Sequence, residues 1–279
     1  MNYKEIIYEL YPNVEEIYDI DSGASKSTFK VKIDGEYYIL KLNIPNKYLY
    51  QEISPLLKPL GILTPETVEI KIHNDMACIL MEYIDGGNLS KDIKEDSFDR
   101  LALMMKAMHE IKGSGFGEIH PGTMEGEFKT FPEYINKQFL RKVDVAQEHL
   151  PYHYNIIEEY LEANPEIVFC HMDFSSNNVL VRDDKYYLID YGNEAGFNSP
   201  LMDIAKSIIN DSRFGIKVYE AYDNVFKFDK KALESFLFIV ALRKIVSWKK
   251  RGKDERVGLL FDLFREIGCS EEYIEHLSF

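Results

Sequence analysis

Between Val168 and Gly192 the chain reads VFCHMDFSSNNVLVRDDKYYLIDYG, and these 25 residues carry His171, Asp173, Asn178 and Asp190. Apolar runs of β type, Ile167 to Cys170 and Val179 to Val181, flank a loop that holds the first three. Asp183-Asp184 then turns the chain back through Tyr186 to Ile189. A chain with this stretch has to close apolar strands around a polar loop. It is expected to do so as a rigid hairpin that presents all four side chains.

These residue types suit a definite chemistry. Moving a phosphoryl group from a nucleotide to a hydroxyl needs a carboxylate beside the attacking oxygen, and oxygen ligands for the Mg2+ that offsets the phosphate charge. Asp173 supplies the carboxylate, with His171 two residues before it and Asn178 five after, and Asp190 follows twelve later in Ile-Asp-Tyr-Gly. Singly, such residues serve as loop caps and turn formers. Their common spacing, the flanking strands and the Tyr-Gly after Asp190 favour the chemical reading.

In the His-x-Asp-x-x-x-x-Asn and Ile-Asp-Tyr-Gly segments the sequence resembles the protein-kinase-like superfamily, and within it the small-molecule branch of aminoglycoside phosphotransferases and choline kinases. The resemblance implies an α+β, two-lobed kinase-like fold. A small, mainly antiparallel-β lobe over residues 1–84 would bind nucleotide, and a larger, mainly helical lobe over 85–279 would hold catalysis and substrate. It also implies ATP or GTP with Mg2+. Asp173 would orient the substrate hydroxyl and accept its proton, His171 would brace the loop, and Asn178 and Asp190 would hold the metal.

The residues before 84 fit this outline. Glu16 to Asp21, Phe29 to Ile33 and Tyr37 to Leu42 read as a meander with Asp34-Gly35 as a two-residue turn. Phe29, Val31 and Ile33 alternate with Lys30 and Lys32, which gives one buried and one solvated face. Small residues in Ser22-Gly23-Ala24-Ser25-Lys26-Ser27 allow backbone N–H groups to approach phosphate oxygens, although a plain hairpin uses the same composition. The loop resembles the Gly-x-Ser loop of aminoglycoside phosphotransferases, which assigns Ser22, Gly23, Ser25 and Ser27 to the nucleotide.

Lys41 lies inside the apolar run Tyr38 to Leu42, where an unpaired ammonium is costly to bury. Glu52, the only acidic residue between Leu42 and Pro65, sits in a helix-like segment from Asn46 and is assigned as its partner, as in kinases. Pro55 is expected to break that helix. A second hairpin, Thr67 to Ile72 with Ala77 to Met81, leads through Glu82 and Ile84 into Asp85-Gly86-Gly87-Asn88. Backbone groups at such a strand end suit an adenine edge, so Glu82 and Ile84 are assigned to the nucleotide, with an ordinary strand-to-helix connection as the alternative.

Helices are expected over Met1 to Leu10, from Asp96-Ser97 to Gly113, over Pro132 to Leu150 and Tyr152 to Ala163, from Ser199, and over Ala232 to Trp248 and Arg256 to Ile267. In the resembling families an Asp in the Asp-x-Ala context of Asp203 braces the catalytic loop through the backbone. Cys78, Cys170 and Cys269 have no zinc spacing and read as reduced core thiols.

The formal charge of −14, from 33 Lys plus Arg against 47 Asp plus Glu, argues against a nucleic-acid partner and favours a cationic small substrate. The longest apolar run, seven residues from Phe236 to Leu242, is far short of the roughly 20 that span a bilayer. Lys4, Glu5 and Glu9 interrupt the first ten residues where a secretory signal needs an apolar core, so a cytoplasmic location is expected.

Ser175 stands where protein kinases acting on Ser or Thr carry Lys, no Ala-Pro-Glu segment follows, and only 13 positions separate Asp190 from Asp203. A small molecule with a free hydroxyl is therefore the expected acceptor. Aminoglycosides come first, their amines meeting Glu194, Glu271, Glu272 or Glu275. Choline, ethanolamine, sugars and amino alcohols are alternatives, with 19 Tyr and 17 Phe available as walls for a quaternary amine. A catalytically silent binding module is the alternative outside enzymes, and the oligomeric state is left open.

Overall fold

The computed structural model describes all residues except 1, 21–26, 43–52, 75, 92, 121, 141–148, 192–193, 226–228, 254 and 278–279, and the side chains of Met76 and Val225. Elements up to residue 91 are α1 (Tyr3–Leu10), β1 (Val14–Asp19), β2 (Thr28–Ile33), β3 (Glu36–Lys41), α2 (Ser54–Leu57), β4 (Thr67–His73), β5 (Met76–Glu82) and β6 (Gly87–Asn88). Next come α3 (Ser97–Met108), β7 (Lys112–Gly113), β8 (Phe116–Ile119), β9 (Gly126–Phe128), α4 (Phe131–Tyr134), α5 (Leu150–Ala163) and β10 (Ile167–Cys170). A hairpin of β11 (Val179–Arg182) and β12 (Lys185–Leu188) follows. The chain ends with β13 (Gly196–Asn198), α6 (Pro200–Asn210), α7 (Ser212–Val225), α8 (Lys230–Lys249), α9 (Glu255–Glu266) and α10 (Glu271–His276).

The chain divides into two compact units, Met1–Lys91 with Val179–Asn193, and Asp92–Asn178 with Glu194–Phe279. The first is a five-stranded antiparallel sheet in the order β1-β2-β3-β5-β4. Phe29, Val31, Ile33 and Leu40 bury one face against Ile7 of α1, as the alternation in β2 requires. Asp34 and Gly35 take φ of 50° and 84° and let Ile33 pair with Glu36, the primed turn anticipated for that dipeptide. Pro55 stands in the first turn of α2, where a missing N–H leaves no bond unmade, and the segment from Asn46 that it was expected to end lies outside the described residues.

The apolar runs around the candidate stretch do not make the single hairpin expected of them. β10 pairs with β7 and β13 in a sheet of the second unit, ordered β7-β10-β13-β8-β9. β11 pairs instead with β12 and β6 in the first unit. The approach there is close, since a Cβ on Gly86 would sit 2.7 Å from the Val181 carbonyl oxygen. The Leu188 N–H also donates to the Leu63 carbonyl at 2.8 Å. A single boundary at residue 84 therefore differs from the division found, in which the chain leaves the first unit after Lys91 and returns for one hairpin.

The second unit is mainly helical. α8 is apolar on nearly all sides and buries Phe236, Leu237, Phe238, Ile239 and Val240, as such a helix must in water. α3 stops at Met108, short of the expected Gly113, because Gly113 belongs to β7. A Cβ there would lie 2.4 Å from the Phe197 ring. α4 continues into a π-helical segment, Ile135–Phe139, where one regular helix from Pro132 was expected. Among the described residues no helix is long and apolar enough to cross a membrane.

Candidate active site

In the second unit β10 ends at Cys170 and the chain enters a loop fixed from below by α6. Asp203, with 0 % exposure, accepts the His171 N–H at 3.0 Å and the Met172 N–H at 2.7 Å, and its Oδ2 lies 3.3 Å from His109 Nε2. Burial pushes this carboxyl up, but the His109 hydrogen bond, the histidine charges and the Met172 N–H outweigh it and hold it below its ordinary value. Met172 has φ of 62°, a left-handed conformation that costs a side-chain-bearing residue about 1–2 kcal/mol. The two bonds to Asp203 impose it, and the chain emerges with Asp173 exposed.

Both oxygens of Asp173 are held. Asn178 Nδ2 donates to Oδ2 at 3.0 Å and to the Asp173 carbonyl at 2.8 Å, and Asn210 Nδ2, at the end of α6, donates to Oδ1 at 2.8 Å. The Asp173 N–H donates to His171 Nδ1 at 3.3 Å, and the Ser176 N–H to Asp211 at 3.1 Å. Asn210 and Asp211 carry no motif. Their one sequence signal is that Asn210 lies seven residues, two helical turns, after Asp203 and so shares its face.

The first unit carries the other candidates. Lys41 closes β3, and its Nζ lies 2.9 Å from Asp190 Oδ1, with side-chain exposures of 12 % and 52 %. The ammonium has a carboxylate, as its apolar surroundings demanded. The pairing proposed from sequence, with Glu52, lies outside the described residues. Asp190 has φ of 57°, a conformation Asp tolerates better than most. Beside it, the Tyr191 hydroxyl donates to Ser54 Oγ at 2.8 Å.

Ser22, Gly23 and Ser25 also lie outside the described residues, while the Ser27 carbonyl accepts the Leu42 N–H at 2.8 Å. Glu82 ends β5, donating its N–H to the Glu66 carbonyl at 2.8 Å and accepting the Glu66 N–H on its carboxylate at 3.3 Å. Ile84 is buried, its carbonyl bonded to the Gly86 N–H at 2.9 Å.

Asp190 and Asn178 both offer oxygen, the donor type a hard ion such as Mg2+ prefers. A second group, His109, Cys170 and Asp203, has ligand atoms within 4.8 Å of one another. Its members are committed elsewhere: Asp203 to backbone N–H groups, His109 Nδ1 to the Tyr222 hydroxyl at 2.9 Å, and the Cys170 thiol to the Ser199 carbonyl at 3.5 Å. Burial pushes that thiol well up, away from the thiolate a metal requires.

The sequence matches the phosphotransferase enzyme family over residues 16–236, and the chain belongs to that family. Its kinase-like α+β fold, read from its motifs, is shared with structures of aminoglycoside phosphotransferases and of a choline kinase. Protein LicA of Haemophilus influenzae is 25 % identical over 132 residues, which cover 46 % of this chain and 48 % of that protein. The chain thus spans about half the length of the curated relatives it matches. A thermostable mutant of aminoglycoside phosphotransferase APH(4)-Ia, in a ternary complex with ADP and hygromycin B, is similar with a TM-score of 0.69 at 16 % identity, over 97 % of this chain and 100 % of that one. Choline kinase LicA from Streptococcus pneumoniae is similar with a TM-score of 0.60 at 18 % identity, over 99 % and 97 %.

Proposed function

We propose that the chain moves the γ-phosphoryl group of ATP to a hydroxyl of a small molecule, with Asp173 orienting that hydroxyl. The observation that carries this is an exposed carboxylate clamped on both oxygens by Asn178 and Asn210, in a turn bolted to Asp203. In the reaction the acceptor oxygen bonds to phosphorus, the bond to the ADP oxygen breaks, and the hydroxyl proton passes to Asp173. Clamping aims the carboxylate before substrate arrives, so little of the barrier is spent on ordering it.

Lys41 would meet phosphate oxygens, giving up its contact with Asp190 and aimed by Glu52. Asp190 and the Asn178 amide oxygen would hold Mg2+, whose bound charge offsets that of the phosphates. Ser22, Gly23, Ser25 and Ser27 would cradle the phosphates, and backbone groups at Glu82 and Ile84 would meet the adenine. ADP in the complex of a structural relative favours ATP over GTP. Use of such a nucleotide fits a cytoplasmic setting.

Hygromycin B in that complex and the choline kinase likeness keep an aminoglycoside and choline as acceptor readings. One support for a cationic acceptor is weak. Glu194, expected to take an amine, is paired with Lys206 and Arg243. Glu271 likewise pairs with Arg265 at 3.1 Å. Nucleotide consumption with Mg2+ across aminoglycosides, choline, ethanolamine, sugars and amino alcohols tests the reading. Stimulation by one class, lost in Asp173→Ala, is expected. Turnover that survives Asp173→Ala rules the assignment out, and nucleotide binding without turnover by any class favours a silent binding module.

A further inference from the structure

The second unit has a histidine cluster that takes no part in the candidate active site. His149 and His153 stand four residues apart at the start of α5 and share its face, and His276 closes α10. His153 is 2 % exposed and stacks on Phe238 of α8 at 3.8 Å. Its Nε2 lies 3.1 Å from His276 Nδ1, and its Nδ1 lies 3.1 Å from Ser235 Oγ. The His276 ring lies flat on that of His149, with centroids 4.0 Å apart and 8° between the planes. Packing on both sides therefore fixes two imidazoles with one nitrogen of each beside the other.

His153 and His276 line a cavity of about 30 Å³ between α5, α8 and α10, together with Glu234, Ser235, Glu272 and Tyr273. That is room for an ion and one water. Tyr273 is 3 % exposed, and among the described residues its buried hydroxyl has no hydrogen-bond partner, a costly state for a polar group. Two carboxylates line the cavity against one lysine, Lys231, whose ammonium stands 5.7 Å from the Tyr152 ring. The lining thus favours a cation.

We propose that His153 Nε2, His276 Nδ1 and Glu272 bind a divalent transition ion of the zinc class, which staples α10 to α5. Two nitrogens on one tetrahedral ion stand about 3.3 Å apart at bond lengths of about 2.0–2.1 Å, close to the 3.1 Å found. Ser235 supplies the outer contact of a metal-bound imidazole. With its hydrogen on Nδ1, His153 donates to the Ser235 hydroxyl and turns Nε2 to the ion. Burial, then the charges of His276 and His149, keep His153 neutral at ordinary pH, the form that ligates. Among the described residues three ligand atoms do not already converge here, so Glu272, exposed in the first turn of α10, closes the site by a change of rotamer. The Tyr273 hydroxyl then meets a water at the fourth position. Nitrogen donors select zinc, nickel or copper over Mg2+, so this ion is distinct from the one assigned to Asn178 and Asp190.

The protein is stripped of metal with EDTA, dialysed, and titrated with ZnCl2 at pH 7.5 by calorimetry, with MgCl2 as the control and the melting temperature as a second readout. One Zn2+ per chain is expected, with a rise in melting temperature that Mg2+ does not give. His276 is only partly buried, so His276→Gln tests the site without emptying the core. It should weaken Zn2+ binding at least a hundredfold. Ser235→Ala leaves both imidazoles in place and should weaken binding by roughly ten- to a hundredfold, the worth of an outer contact. Co2+ in place of Zn2+ should give the visible absorption of a four-coordinate ion, absent in His276→Gln.

Neither heat nor a change in melting temperature with Zn2+ overturns the proposal. So does Zn2+ binding of unchanged affinity in His276→Gln, which places the ion elsewhere on the chain. A Co2+ spectrum unaffected by that substitution has the same meaning. None of these measurements reads phosphoryl transfer, so the outcome stands apart from the role given to Asp173.

Discussion

Asp203 exposes no surface, yet it sets the direction of Asp173 through the N–H groups of the two preceding residues. Removing it leaves those donors and His109 unsatisfied in the core, so Asp203→Ala should cost on the order of 3 kcal/mol, read as a lower urea midpoint. Turnover should fall with it, because the left-handed turn at Met172 loses what imposes it. Asp173→Asn should instead keep the urea midpoint and lower kcat by roughly 10²- to 10⁴-fold, the worth of a general base. Lys41→Met should act chiefly on the KM for ATP. At this scale the candidate residues were legible because His171, Asp173, Asn178 and Asp190 lie close together in one stretch. Their supports were not. Asn210 and Asp211 reach the loop from the end of a helix 37 and 35 positions away from Asp173 and Ser176, where spacing within the motif carries no information.

Secondary elements were legible where local chemistry alone decides them. The turn at Asp183-Asp184 is one such case, with φ of 52° and 56° at its two residues, the primed geometry that suits a two-residue hairpin. Asp tolerates this conformation at some cost and glycine at none. Asp184→Gly, at an exposed site, should therefore stabilise the first unit by up to about 1 kcal/mol, seen as a higher melting temperature with unchanged turnover. Which strand pairs with which was not legible. β10 and β11 are both four-residue apolar strands, and periodicity cannot say that one joins β13 and the other β6. The π-helical segment at Ile135–Phe139 was equally hidden, since its apolar positions also fit a regular helix.

Across the whole chain, acid stability turns on a histidine outside the site. His153 of α5 stacks on Phe238 of α8 at 3.8 Å, and its nitrogens lie 3.1 Å from Ser235 Oγ and from His276 Nδ1 of α10. Burial first, then the charges of His276 and His149, push its pKa down to about 3. An unfolded histidine titrates near 6.5, so below that pH the unfolded chain takes up a proton that the folded one refuses. Stability should fall by about 1.4 kcal/mol per pH unit from this group as pH drops from about 6.5 toward 3, and it should be flat with respect to His153 above that window. Glu194, held down to about 2, loses its contribution only as pH falls through the carboxylate range toward that value, so a decline between pH 6.5 and 5 reports His153 together with His276, which burial also pushes down. Urea midpoints at pH 7 and pH 5, with His153→Gln flattening the difference, provide the check.

The first unit recovers its hairpin only after the chain has built half of the second. Neither unit is therefore a continuous stretch of coding sequence. A gene cut after codon 91 would encode the sheet with Lys41 and omit Asp190, which lies 149 positions further on and holds that lysine at 2.9 Å. Recombination that swaps amino-terminal halves between relatives would join a foreign lysine to a resident aspartate. The two must be inherited as a pair, and shuffled chimaeras are better cut twice, on either side of residues 179–193, than once.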